Sequence, residues 1–380
     1  MIYPPLDHWF WLVSALLIGC CMGSFLNVVI YRMPLAMSVN EPRRSFCPHC
    51  KYHFAIWLNL PVVSWFWLLG KCANCKKPIS LRYPAVELLT GLLYVVMWWL
   101  VISQGGPVWT GLLLWVMVSL LVAISFIDID HMIIPTSLTW AGTVVGVVAS
   151  TLWPRLPNLG GFNDARWDGL MHSGIGFVVG FFGLWLVVNL GKMAFGKKEM
   201  KFKKAEAWYL KEPDNDVDPL LFIIDGEKIQ WWDLFNRPSD RLIIECGEIF
   251  VDGEKHSGGR LIIREQEIEL PDGSKHPIGE LKSLEGDATH VLIPREAMGF
   301  GDVHLMGMIG AFIGWSGCIY TLFAASLLAL VAAMFGRIGF GRQLPFGPFL
   351  AMGALTWMLG GWKLWQWYLL YLGPLFPAEF

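Results

Sequence analysis

Several stretches of this chain stay apolar for the roughly 20 residues that a helix needs to cross hydrocarbon, and nothing else in the sequence limits the fold so tightly. A segment in lipid has no water to satisfy its backbone N–H and C=O groups, so it must be helical or part of a closed barrel. The runs here predict helices at about 9–31, 84–103, 107–127, 132–153, 169–195, 302–315, 317–336 and 346–373, with ends good to a few residues. The sixth and seventh are separated only by Gly314 and Gly317 around Trp315 and Ser316, so a seven-helix count also fits. Composition agrees: the chain is 55% hydrophobic and only 16% charged, against about 25% charged in a soluble domain. The first run lacks the basic start of a cleaved signal peptide and is expected to remain as an anchor.

The charge is concentrated. Residues 197–295 hold 15 of the 29 Lys and Arg and 21 of the 31 Asp and Glu. Short β-prone runs occur there at Leu220–Ile224, Arg241–Glu245, Ile249–Val251, Leu261–Arg264 and Glu267–Leu270, with turn pairs at Asp225-Gly226, Asp252-Gly253 and Asp272-Gly273. The expected fold is therefore mainly α: a polytopic membrane bundle of about eight transmembrane helices with a polar loop and a small β-rich insert. The expected segments are 1–31 as the first transmembrane helix, 32–83 as a zinc-binding loop, 84–196 as helices two to five, 197–298 as the soluble insert, and 299–380 as the C-terminal helices. The basic start of the insert, Lys197–Lys204, reads equally as a lipid-headgroup contact or a solvated tether.

Lys and Arg in short loops set orientation. Arg32, Arg43, Arg44, Lys51, Lys71, Lys76, Lys77 and Arg82 crowd the 32–83 segment, and Lys192, Arg337 and Arg342 fall on the same side if eight helices alternate. The other side receives Arg155, Arg166 and Lys363. This bias puts the 32–83 loop and the insert in the cytoplasm and both termini outside. A net charge of −2, without a basic stripe carrying aromatics, argues against nucleic acid as a partner.

Cys47-Pro48-His49-Cys50 and Cys72-Ala73-Asn74-Cys75 are two CxxC knuckles. Four thiolates so spaced suit one tetrahedral zinc, and a closed four-sulfur site is structural. A cytoplasmic position disfavours disulfides between them. His49 is read as a bystander, and Cys20, Cys21, Cys246 and Cys318 as buried thiols.

Only ten acidic residues lie outside 197–295, and Asp128, Asp130 and Asp302 sit at ends of apolar helices. Carboxylates at such depth are expensive and are functional candidates. Asp128 closes the third helix and Asp302 opens the sixth, so the alternation brings both to one face. Two carboxyls in one site cannot easily both ionise, which suits a shared-proton pair that activates water and protonates a leaving amine. A helix N-terminus favours an anion at Asp302, and Gly299 and Gly301 would let a substrate strand approach. Asp130, two residues from Asp128, points elsewhere on a helix and is read as a cap or surface group; His131 and His304 are read as interfacial. Capping, or lining an ion path, is the competing use of Asp128 and Asp302.

The ordered motifs resemble a family. Gly23-Ser24-Phe25-Leu26-Asn27-Val28-Val29-Ile30-Tyr31-Arg32-Met33-Pro34, the two cysteine knuckles, Asn59–Trp65, Ile79–Glu87, Asp128 with Ile134-Pro135, and Gly299-Phe300-Gly301-Asp302 are together similar to the type IV prepilin peptidases, the GxGD aspartic peptidases of pilus and type II secretion systems. The resemblance implies Asp128 and Asp302 as the catalytic pair in a bacterial inner membrane. It implies cleavage of the basic leader of type IV prepilins and pseudopilins at the cytoplasmic face, then methylation of the new N-terminus with S-adenosylmethionine. No Gly-rich nucleotide fingerprint marks a donor site; Glu87, at a helix start, could orient the amine or simply cap the helix. The chain departs from the family in the insert of about 100 residues before GxGD. A zinc-stabilised membrane transporter or assembly factor, with the aspartates as ion ligands, is the alternative. A third reading is a family member that binds pilins without cutting them.

Overall fold

In a computed structural model of the chain, residues 5–372 are described apart from 43–44, 48, 104, 106, 154–165, 196, 212–219, 236–239, 295–298 and 337–343. Arg43, Arg44, Arg155, Arg337 and Arg342, used above for orientation, lie outside the described residues, as does Pro48 of the first knuckle. The chain divides into two compact units, residues 1–185 with 299–380, and residues 186–298.

The first unit is a helix bundle: α1 (Trp9–Arg32), α2 (Val63–Trp67), α3 (Arg82–Ser103), α4 (Val108–His131), α5 (Thr136–Leu152) and α6 (Arg166–Phe195), which runs on into the second unit, then α8 (Phe300–Phe335), α9 (Gly347–Thr356) and α10 (Trp362–Leu372). Five of the described helices are long and apolar enough to cross a membrane, and α5 is a shorter apolar helix. The chain is a multi-pass membrane protein, and large side chains such as Leu17, Trp99 and Val144 point outward as lipid-facing groups would.

Helix association inside lipid lacks a hydrophobic drive between helices and depends on close backbone contact. Gly19-x3-Gly23 on α1 supplies it: a Cβ at Gly19 would lie 2.7 Å from Gly91 Cα of α3, and one at Gly23 2.6 Å from Glu87 Cα.

The count of eight crossings is not fixed by these helices, but the expected break near Gly314 is physical. Gly314 has φ 74° and ψ 178° inside the 36-residue α8. A Cβ on Gly310 would fall 2.7 Å from Cys318 Sγ, whereas eight residues of straight helix span about 12 Å. The run therefore folds back on itself. Carbonyls just before such a break lose their helical donors; Ala311 O instead accepts from the hydroxyls of Ser173 at 2.8 Å and Ser150 at 3.0 Å. The expected single helix over 346–373 is also interrupted, by the turn Trp357–Gly361, where Gly360 takes φ 126°.

The second unit is an antiparallel sheet of eight strands: β1 (Lys197–Lys211), β2 (Leu221–Ile224), β3 (Glu227–Gln230), β4 (Leu242–Val251), β5 (Glu254–Ile263), β6 (Glu267–Glu269), β7 (Lys275–Pro277) and β8 (Leu284–Pro294), in the order β3-β2-β1-β8-β4-β5-β6-β7, with α7 (Trp231–Leu234) after β3. The three Asp-Gly turns close the β2–β3, β4–β5 and β6–β7 hairpins; Asp225-Gly226 and Asp252-Gly253 both adopt positive φ, as a two-residue hairpin requires. Phe222, Ile224, Leu242, Ile244, Leu261 and Val291 are fully buried in its core. The lysine run from Lys197 is not a tether: it is the first half of β1 and pairs with β8.

Candidate active site

Asp128 sits in the last turn of α4, whose end is set by Met132 in the left-handed conformation with its N–H on Asp128 O. Asp302 sits in the first turn of α8 behind Gly299 as N-cap. Both side chains are buried, at 5% and 7% exposure. Ile134 joins their surroundings: a Cβ on Gly301 would meet its Cβ at 2.7 Å, and one on Gly347 would meet its Cδ1 at 3.2 Å and Asp128 Oδ2 at 2.8 Å. Ile134 thus packs against both the residue before Asp302 and the residue that meets Asp128.

The position of Asp128 needs explanation, because the C-terminal end of a helix disfavours a negative charge. The answer comes from α9. Gly347 opens α9 just ahead of Pro348, so its N–H is one of the unpaired first-turn donors, and it donates to Asp128 Oδ2 at 2.9 Å. Two helix N-termini, those of α8 and α9, thus converge on the aspartates. Asp302 Oδ1 has no hydrogen-bond partner among the described residues. In a buried carboxyl that atom is free for a water or a substrate group. Gly301 and Gly347 are required for the approach, since a side chain at either would strike Ile134 or Asp128. Gly347 was missed in the sequence reading, although the Gly-Pro pair after Pro345-Phe346 announces a helix start.

Asp130 points away and pairs with Arg82, whose guanidinium also covers the Phe126 ring. It ties the start of α3 to the end of α4. His304 stands among the rings of Trp140, Phe181 and Phe300.

The four cysteines meet as the spacing requires. Each knuckle repeats one pattern: Cys47 N–H donates to Tyr52 O and Lys51 N–H to Cys47 O, and likewise Cys72 with Lys77 O and Lys76 N–H with Cys72 O. Lys51 and Lys76 both take φ 58°, and the bridges Phe46–His53 and Lys71–Pro78 close each loop at the same offset. Cys47 and Cys75 sulfurs lie 3.9 Å apart, as do those of Cys50 and Cys72, and all four fall within 4.8 Å of one another. Sulfurs at about 2.3 Å around a tetrahedral zinc would be about 3.8 Å apart, so the cluster fits that ion. The Tyr52 N–H holds the Cys50 thiol down to about 6. The Lys77 N–H pulls on Cys75 in the same way, yet burial and the neighbouring sulfurs push it up to about 11. Four thiolates this close need a cation to coexist.

Above α1 and α3, the loop roofs a cavity of about 370 Å³. Glu87 borders it, 9% exposed, and its carboxylate accepts from Val62 N–H at 2.6 Å and from the Ser24 hydroxyl.

Known proteins resemble this chain in sequence. Residues 17–101 match the bacterial peptidase A24 N-terminal domain, and residues 115–198 and 283–334 match the type IV leader peptidase family, whose match skips most of the β-sheet unit. A prepilin leader peptidase/N-methyltransferase of Aeromonas hydrophila is 34% identical over 221 residues, which span 51% of this chain and 69% of that protein. The chain belongs to the type IV leader peptidase family. It is an aspartic peptidase of the kind named for both leader cleavage and N-methylation. One so named from Myxococcus xanthus is 43% identical over 166 residues, covering 44% of this chain and just under half, 46%, of that protein. Another, from Aeromonas salmonicida strain A449, is 28% identical over 393 aligned positions, covering 95% of this chain and 94% of its own length. No solved structure matches the chain.

Proposed function

We propose that the chain cuts the leader from type IV prepilins and pseudopilins with Asp128 and Asp302, at the cytoplasmic face of a bacterial inner membrane, and then methylates the new N-terminus. The observation that carries the reading is the pair of buried carboxyls at the ends of α4 and α8, with Gly347 N–H on one and an open oxygen on the other. Two carboxyls in one site share a proton. The ionised member takes a proton from water as it attacks the scissile carbonyl. The protonated member hydrogen-bonds the carbonyl oxygen and then protonates the leaving amine. Gly299 leaves the approach to Asp302 uncrowded, which suits an extended substrate strand, while Gly301 lets Ile134 close against the start of α8.

Around that centre the reading places eight crossings, with the two arms of α8 counted separately. Residues 32–83 form a zinc-stapled loop on Cys47, Cys50, Cys72 and Cys75, and 197–298 a cytoplasmic insert. S-adenosylmethionine is the methyl donor. Zinc supports the loop and takes no part in cleavage, since a closed four-sulfur site leaves no open position for substrate.

The test is co-expression with prepilin. Asp128→Asn and Asp302→Asn should each lower leader removal by at least about 10²-fold, with the protein still inserted. Mature pilin appearing at near wild-type rate with either variant would overturn the assignment. Mass spectrometry of the mature N-terminus reads the methyl group separately.

A further inference from the structure

Hydroxyls on the helices of this chain mostly turn back on their own helix. Thr90 donates to Val86 O, Thr143 to Thr139 O, Thr151 to Val147 O and Ser326 to Leu322 O, each one turn back, the usual way a hydroxyl is satisfied within a helix. Ser150 of α5 and Ser173 of α6 do not. Both are fully buried, and both reach across the bundle to one acceptor, Ala311 O, at 3.0 Å and 2.8 Å. That carbonyl stands just before the break at Gly314, at the far end of the arm of α8 that carries Asp302. Nine residues, or about 13 Å of helix, separate Ala311 from Asp302. The other contacts of the arm are smooth. Gly176 and Gly180 of α6 lie against the backbone of Gly310 and Met306, and Gly146 of α5 against the Phe312 ring. Glycine faces let helices approach closely but present no ridge to resist a slide along the axis. A hydrogen bond to a carbonyl has a direction, and two from separate helices onto one oxygen fix its position.

We propose that Ser150 and Ser173 are positioning residues for leader cleavage: together they stop the arm of α8 from sliding, and so set where Asp302 stands relative to Asp128. The proposal rests on the aspartate pair of the function given above. Neither serine touches the reacting atoms. The arm begins behind Gly299 without a side-chain cap and ends at the break, so no continuous helix ties it along its axis at that far end. Hydrocarbon offers no water to replace a lost donor. With both hydroxyls gone, Ala311 O is left unpaired, and the arm shifts toward any donor it can reach. With one hydroxyl in place the carbonyl stays satisfied and the arm stays put. A displacement of about 1 Å at a reacting group can cost about 10²-fold in rate, which makes the far end of the arm matter to chemistry at its start.

The experiment measures prepilin cleavage by the purified full chain in detergent micelles, with kcat per mole of monodisperse protein and KM determined separately. Ser150→Ala and Ser173→Ala alone should each lower kcat by less than about threefold, since one donor remains. The double variant should lower kcat by about 10²-fold and leave KM within about threefold. Tyr94→Phe, which deletes an interhelical hydrogen bond to Ser119 between α3 and α4, should lower the melting temperature and leave kcat unchanged. A double variant with wild-type kcat, or a loss no larger than the product of the two single losses, would overturn the proposal, as would an equal loss in Tyr94→Phe. Should the double alanine variant not insert, Ser150→Cys with Ser173→Cys keeps the volume with weaker donors and should lower kcat by about tenfold; wild-type kcat there rejects the proposal. The underlying reading fails in a different way. Asp302→Asn that still cuts prepilin removes the aspartate pair itself, whereas an inactive Asp302→Asn beside an unaffected serine double variant removes only the positioning role.

Discussion

The loop between α1 and α3 and the sheet of residues 186–298 are both polar segments of a chain that is otherwise mostly lipid-facing helix, and they are held by opposite means. Between Met33 and Leu81 the only apolar side chains buried among the described residues are Cys47 and Cys72. Val63, Phe66, Trp67 and Leu69 are all exposed. The sheet buries a continuous core from Trp208 to Ile293. A short segment without a core needs a staple, whereas about a hundred residues can bury enough surface to fold by themselves. The cysteine loop should therefore depend on its metal and the sheet should be indifferent to it.

Metal removal should give the largest effect. Structural zinc contributes on the order of 10–16 kcal/mol in apparent binding to small domains. Chelation or Cys72→Ser should abolish hydrogen-exchange protection across residues 45–80 and leave β4 and β8 protected. A loop that stayed protected without metal would break the contrast.

Next comes the reverse cut. Phe222→Ala removes a fully buried ring from the sheet core and should cost about 3–5 kcal/mol. Pulse proteolysis in urea would show cleavage within 197–294 at lower urea, while zinc content by metal analysis stays unchanged. Zinc lost from this variant would mean that the two regions do not fold independently.

Acid should give the smallest and most graded change. Backbone N–H groups of Ser283 and Lys282 hold Asp252 below the usual carboxylate range, the Ser274 hydroxyl and N–H do the same for Asp272, and the Arg264 guanidinium does so for Glu267. Each folded value is depressed, so each contributes stability that is full above the unfolded pKa, about 4, and fades as pH falls through the folded one. The urea midpoint of the sheet should hold from pH 7 to about 5 and fall below about 4. Asp252→Asn should flatten part of that slope; an unchanged slope would show that these turns do not contribute to it.

Patterns with a strong local cause were readable in advance. Apolar runs gave α1, α3 and α4 to within four residues at each end, because hydrocarbon permits little else. Asp-Gly pairs marked three hairpins, and Gly314 marked the turn in α8. β1 was not readable, because its lysines mimic a tether until β8 is present to pair with them. Two predicted strands, 241–245 and 249–251, proved to be one, since β4 carries its irregularity within a continuous ladder. In the candidate site, Asp128 and Asp302 stood out by cost alone. Gly347, Val62 and Ser24 did not, because what they supply is a backbone N–H or a hydroxyl aimed across the fold, and no local pattern records the direction of a donor.

The reversal at Gly314 has a consequence for anyone mapping sidedness by fusion reporters. Hydropathy alone treats Phe300–Phe335 as a single pass. A chain that doubles back midway ends where it started, so the parity of everything downstream depends on one φ angle of 74°. An L-residue substituted there would oppose that angle, and a straightened α8 would deliver α9, with the N–H that Asp128 uses, to the wrong leaflet.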